Sequence, residues 1–183
     1  MYEDLFLVVR LDTQGTTTAP INVVMLLRDI INKYSQQIRK SEIQLHMDVS
    51  CTDTCTILGD TSYLSRAISN ILDNAIQYGD NDTEISLSAN GYDNTVEIII
   101  RNQGMTIPDE QIPYVFDYFF RGEAHRSLDN DNIGMGLTIA NKVVNTLNGT
   151  ITIENENDAG VRVTISLPCV TRKSDELTST YAS

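Results

Sequence analysis

The chain has 183 residues, 41% hydrophobic and 21% charged, which suits one ordinary domain with its own core rather than a disordered segment. Its formal net charge of −12 argues against broad contact with nucleic acid or an anionic membrane face, and no apolar run is long enough to span a bilayer. Cys51, Cys55 and Cys169 have no companion His or Cys set for zinc, so free thiols in a reducing, cytoplasmic setting are expected.

Residues 1–14 read as the end of a helix with Tyr2, Leu5, Phe6 and Val9 on one stripe, too short to be stable alone. Residues 15–20 have the Gly, Pro and polar content of a linker. Asn22 suits an N-cap, and Val23, Leu26, Leu27, Ile30, Ile31 and Tyr34 form the buried stripe of a helix running to about Lys40. From Ile43 the apolar period becomes two, which predicts a strand over 43–49 with His46 exposed, followed by a short strand at 56–58.

Asp60 is a good N-cap for a long helix starting near Thr61, whose apolar face carries Leu64, Ala67, Ile68, Ile71, Leu72 and Ala75. Asn70 and Asn74 lie four apart at the border of that face, and Tyr78 continues their stripe. Two carboxamides at the edge of a buried face need partners. A magnesium-bound triphosphate would supply them, because an Asn oxygen is a hard metal ligand and an Asn NH2 donates to phosphate oxygen. Hydration at a solvent edge is the plainer alternative.

An acidic turn at 79–82 leads to two strands, near 85–89 and 96–100, joined by a hairpin-like connection at 90–94. A short helix is predicted near 109–116, and the polar stretch 121–133, with little to bury, is expected to be mobile. Gly134 and Gly136 open a helix that stops at Asn148-Gly149, with Gly149 as the expected terminator. Strands over 150–154 and 160–167 close a domain spanning 21–168, and 169–183 form a polar, disordered tail. The irregular alternation of helices and hairpins implies a two-layer α/β sandwich: a mixed, mostly antiparallel sheet with helices packed on one face.

Taken in order, these segments resemble one known family. Asn70-Ile-Leu-Asp-Asn74-Ala resembles the N box of two-component sensor histidine kinases, in the ATPase superfamily shared with gyrase and heat-shock protein 90. Asn102-Gln-Gly104-Met-Thr-Ile107-Pro is similar to their first glycine box, 115–122 to the F box, Gly134-Met135-Gly136-Leu137 to the second glycine box, and 149–154 and 160–168 to the closing strands. The resemblance spans about residues 20–168 and implies the Bergerat-type ATP-binding fold, with ATP and Mg2+ as ligands.

By position, the resemblance makes Asn74 the magnesium ligand and Asn70 a phosphate-side partner. Tyr78 would lie against adenine, Asn102 would read its amino group, and Gly104 would let the base approach. Phe116, Phe119 and Arg121 would anchor a lid, with Arg121 near the terminal phosphate. Gly134 and Gly136 would cradle phosphates, and Ile107, Met135 and Leu137 would complete the pocket. Asn70, Asn74 and Arg121 are thus the catalytic candidates. Residues 1–14 resemble the end of the second dimerisation helix, so the accepting histidine would lie upstream, and neither His46 nor His125 is in a context to replace it. The implied partners are the chain's own dimerisation domain and a response regulator. This stretch alone would be monomeric, and the full-length protein a homodimer with a sensor that could be membrane-anchored.

Three positions depart from the family pattern. Asn102 stands where Asp is usual, replacing a charged hydrogen bond by a neutral one; this should weaken the hold on adenine roughly tenfold and reduce discrimination against guanine. Gln77 stands where a Lys or Arg is frequent, leaving Arg121, Arg126 and Lys142 as possible substitutes, and Asn132-Ile133 stand where small residues are usual. These departures leave open a degenerate domain that senses nucleotide or docks a partner; a serine-directed kinase of the same superfamily is a third reading, against which the F box and the preceding helix end argue.

Overall fold

The computed structural model describes residues 2–13, 18–38, 43–50, 55–92, 94–120, 134–156 and 160–170. The expectations for 121–133, including Arg121 and Arg126, and for 171–183 lie outside the described residues. Among the described residues no helix is long and apolar enough to cross a membrane.

Five strands form the main sheet: β2 (Gln44–Val49), β4 (Glu84–Tyr92), β5 (Thr95–Gln103), β7 (Gly160–Pro168) and β6 (Thr150–Asn155), in the spatial order β2-β4-β5-β7-β6. Only β2–β4 is parallel; the other three pairings are antiparallel. In the central strands one side of the period-two pattern is wholly buried: Ile85, Leu87 and Ala89 in β4, Val96, Ile98 and Ile100 in β5, and Val163, Ile165 and Leu167 in β7. The opposite face carries Arg101, Arg162, Glu154 and Glu156, where Arg162 pairs with both glutamates and Arg101 with Glu156 at 3.2 Å. Helices α2 (Val23–Ile38), α3 (Thr61–Tyr78) and α4 (Gly136–Thr146) form the second layer, their apolar residues joining the core. The two-layer sandwich is therefore as the sequence implies.

Several boundaries differ. Ala19 and Pro20, expected in a linker, begin β1 (Ala19–Asn22), which pairs antiparallel with β3 (Thr56–Gly59) in a separate ribbon. Of the apolar stripe read on α1 (Tyr2–Thr13), Phe6 and Val9 are exposed, and the buried residue beside them is Val8. The helix predicted near 109–116 is a single 3-10 turn, Ile112–Tyr114, because Pro113 lacks the N–H that a longer helix needs. At the end of α4 the left-handed residue is Asn148 (φ 57°) rather than Gly149, whose N–H caps the helix by donating to the Val144 carbonyl. Residues 169 and 170 are not tail: Cys169 and Val170 donate backbone hydrogen bonds to Asn94 and Thr56. Cys169 is a free thiol, its pKa raised by burial, whereas Cys55 is disulfide-bonded rather than free as expected.

Candidate functional site

Helix α3 presents the central wall. Asp60 caps it, its carboxylate accepting the N–H groups of Ser62 (2.8 Å) and Tyr63 (3.3 Å) and the Ser62 hydroxyl; that hydroxyl contact is the main cause of an Asp60 pKa below the ordinary value. At the other end, Gly79 bridges Gly104, with Asp80 N–H donating to the Gln103 carbonyl and Met105 N–H to the Tyr78 carbonyl. Between these two anchors, Ser62, Arg66, Asn70, Asn74 and Tyr78 recur every four residues, and all five line one cavity of about 1070 Å3.

The floor of this cavity is the inward face of the sheet, with Ile100 and Asn102 from β5, Ile153 from β6, and Val161 and Val163 from β7. One side is the loop that leaves β5, with Met105, Thr106, Ile107 and Pro108. Asn155 holds this loop, donating through Nδ2 to the Ile107 carbonyl (2.7 Å) and accepting the Ile107 N–H (2.8 Å). The opposite side is Gly134, Met135, Gly136 and Leu137, the lead-in and first turn of α4. Among the described residues no side chain caps that helix, so its first N–H groups would face an anion at the positive end of the helix dipole. Asn70 ties the two helices together, its Nδ2 donating to the Gly136 carbonyl at 3.2 Å. Tyr34, Ser69 and Asp73 also line the cavity, where the Tyr34 hydroxyl donates to Asp73 Oδ1 (2.8 Å) and lies 3.2 Å from the Ser69 carbonyl.

Of the sequence-predicted residues, Asn70, Asn74, Tyr78, Asn102, Ile107, Gly134, Met135, Gly136 and Leu137 come together around this cavity. Gly104 does not line it. At φ 139°, a Cβ there would lie 2.6 Å from the Tyr78 carbonyl oxygen and 2.8 Å from Asp80 N, so the crossing of two backbones leaves no room for a side chain at this position. Phe116 and Phe119 do not line it either; Phe119 is exposed at φ 60°, its ring 6.3 Å from that of Tyr118, and the aromatic segment meets the cavity through Val115 and Phe120. Thr138 fastens that segment, donating its hydroxyl to the Asp117 carbonyl. Lys142, suggested as a replacement cation, instead lies over the Tyr118 ring at 5.7 Å. His46 is exposed on the edge strand β2, away from the cavity. The reading missed Lys33 and Arg66, the basic residues on the wall, although Arg66 sits four residues before Asn70 on the same stripe.

The sequence compared with known families settles membership. Residues 59–171 match the family described as "Histidine kinase-, DNA gyrase B-, and HSP90-like ATPase". The chain belongs to this family. Among curated proteins it is similar to the signal transduction histidine-protein kinase BaeS of Escherichia coli K12, at 27% identity over 82% of this chain and 32% of that protein. It is also similar to the sensor histidine kinase CusS of the same strain, at 34% identity over 63% of this chain and 24% of that protein. The chain thus spans about a quarter to a third of the length of these relatives. Among solved structures, full-length ShkA in complex with AMPPNP shares the fold with a TM-score of 0.78 at 21% identity, covering 94% of this chain and 36% of that one. ThkA in complex with the response regulator TrrA shares it with a TM-score of 0.75 at 20% identity, covering 92% and 47%.

Proposed function

We propose that this domain binds magnesium ATP and transfers its terminal phosphoryl group to a histidine on a dimerisation domain of the same protein, for relay to a response regulator. One observation carries the reading: a single cavity has two carboxamides on one helix stripe, an uncapped helix N-terminus facing them, and a buried amide on its floor. A purine fits over the apolar floor near Asn102 and Tyr78, and the phosphates run toward the start of α4.

The residues present suit magnesium. The described residues contain no group of three His, Cys, Asp or Glu that could hold a metal, so the ion would arrive with the phosphates and take few protein ligands, as Mg2+ commonly does. Asn74 would hold it through Oδ1. Asn70 uses one N–H of its NH2 on the Gly136 carbonyl, which leaves its second N–H for a phosphate oxygen and its Oδ1 for the metal. The metal would neutralise charge developing on the phosphates. The protein's own contribution is positioning: amides at the start of α4 orient the phosphates, and Arg66 and Lys33 set positive charge on the wall of an otherwise acidic molecule. Transfer breaks the bond between the terminal phosphorus and the bridging oxygen and forms a phosphorus–nitrogen bond to the acceptor imidazole. The products are ADP and an acid-labile phosphohistidine.

The relatives named as histidine kinases support this assignment, as does the nucleotide complex of ShkA. The pairing of ThkA with TrrA supports a response regulator as the recipient. Residues 21–168 form the catalytic unit, with residues 1–14 as the end of a dimerisation helix, a cytoplasmic position for the domain, and a homodimer for the full-length protein. A titration with magnesium ATP followed by thermal unfolding tests the pocket. At about 100 times the dissociation constant, binding should raise stability by about 2.7 kcal/mol, and Asn74→Ala should abolish the shift. Supplying a histidine-bearing dimerisation hairpin should then yield phosphate that is lost in acid and kept in base. A cooperatively unfolding protein with no shift at millimolar nucleotide would overturn the reading.

A further inference from the structure

Asn102 is the last inward-pointing residue of β5. The residue is 8% exposed, and among the described residues its Nδ2 has no hydrogen-bond partner. Its strand neighbours cannot supply one from their side chains, because the residues in register on either side are Ile85 and Val161. The backbone leaves little freedom to turn away: Gly160 (φ 149°) packs so closely on the Asn102 carbonyl that a Cβ at 160 would overlap it. A buried amide donor without an acceptor is costly, and this one lines the cavity, so the missing acceptor belongs to whatever occupies the floor.

The chemistry of a carboxamide determines which purines can provide that acceptor. Adenine presents an amino donor at position 6 beside an acceptor at N1. Guanine and hypoxanthine present the reverse, an oxo acceptor at position 6 beside an N1–H donor. A carboxylate at residue 102 would accept only and would repel a 6-oxo group. A carboxamide turned end for end keeps its shape and exchanges donor for acceptor, so it meets either pattern. We propose that Asn102 makes the site tolerant at position 6 of the purine, so that 6-oxo purine nucleoside triphosphates bind alongside ATP. This rests on the nucleotide-binding reading above and adds the class of base the site accepts.

Inosine triphosphate is the discriminating probe, because it replaces the adenine amino group by oxygen without adding the 2-amino group of guanine. Calorimetric titration of the 183-residue chain in excess magnesium should give dissociation constants for ATP and ITP within about threefold of each other, both edges being neutral hydrogen-bond partners. Asn102→Asp should tighten ATP, weaken ITP and so separate them by about tenfold or more, the gap between charged and neutral hydrogen bonds. Asn102→Ala should weaken both nucleotides without separating them. If the wild type binds ATP but rejects ITP by thirtyfold or more, the inference falls while the kinase reading stands. If the wild type binds neither nucleotide, both fall. The wild-type comparison decides the matter even where the Asp variant fails to fold.

Discussion

Asn155 grips both ends of one residue: its Nδ2 donates to the Ile107 carbonyl at 2.7 Å and its Oδ1 accepts the Ile107 N–H at 2.8 Å. This clamp fixes the loop that forms one side of the cavity to the end of β6. Asn155→Ala removes two hydrogen bonds from a partly buried loop and should cost about 1–3 kcal/mol in urea unfolding. Nucleotide affinity should fall as well, since the loop then loses its fixed position over the floor. Unchanged binding would mean that the loop holds its shape without the clamp.

The glycines of the two glycine segments should respond in opposite ways. Gly104→Ala places a Cβ against the Tyr78 carbonyl at a φ that L residues avoid, and should destabilise the fold by about 2 kcal/mol or more. A Cβ on Gly136 would meet Asn70 at an ordinary 3.6 Å, so Gly136→Ala should fold normally or gain up to about 1 kcal/mol in helix stability. Because Gly136 lines the cavity, that variant should still lose nucleotide affinity. Denaturant melts beside titrations of both variants separate the two effects.

Tyr34 should ionise late. Burial first, and then its hydrogen bond to Asp73, push its pKa well above the ordinary 10.0. A raised folded-state value favours the protonated form. This stabilisation is therefore complete below about pH 10 and is lost as pH rises toward the folded value. An alkaline titration at the phenolate absorbance band should show one tyrosine that ionises only on unfolding. Tyr34→Phe should remove that transition and destabilise the neutral-pH protein by about 1.5–3 kcal/mol, the range for a hydrogen bond to a charged group.

Asp60 makes the opposite prediction on the acid side. The Ser62 hydroxyl and two backbone N–H groups hold its pKa below 3.8, so its contribution is complete above that value and disappears as pH falls through the folded-state value. Near neutrality Asp60→Ala should cost about 0.5–2 kcal/mol. The gap between wild type and variant should close below about pH 4, as measured by urea midpoints across a pH series. A gap that does not narrow as pH falls through the acid range would show that the cap acts through something other than its charge.

The parts of the site carried by one element were legible from periodicity. Asn70, Asn74 and Tyr78 were found because a helix repeats its faces every four residues, and the same argument extended one turn back reaches Arg66. What depends on contacts between distant segments was not legible. Asn155 finds Ile107 across 48 residues, and nothing in its own neighbourhood distinguishes it from a turn residue. Nor does the local sequence of Gly104 reveal that the end of α3 crosses it. On α1 several faces are apolar, so the side facing the core followed from packing, with Val8 buried and Phe6 outside. In the sheet, the period-two pattern located β4 and β5, but the parallel pairing of β2 with β4 depends on where the chain goes between them.

Helix α3 is held at its start by the Asp60 cap and at its finish by the Gly79–Gly104 bridge, and this makes it behave like an indexed shaft. Its length sets the angle at which its side chains arrive. One residue added between 62 and 69 would turn everything beyond it by about 100°, swinging Asn70 and Asn74 off the cavity wall while leaving their sequence motif intact. A chain that kept all its signature residues could thus lose its site through a change in the spacer before them. In this protein the count of residues from Asp60 to Asn70 is therefore as much a part of the candidate site as the asparagines themselves.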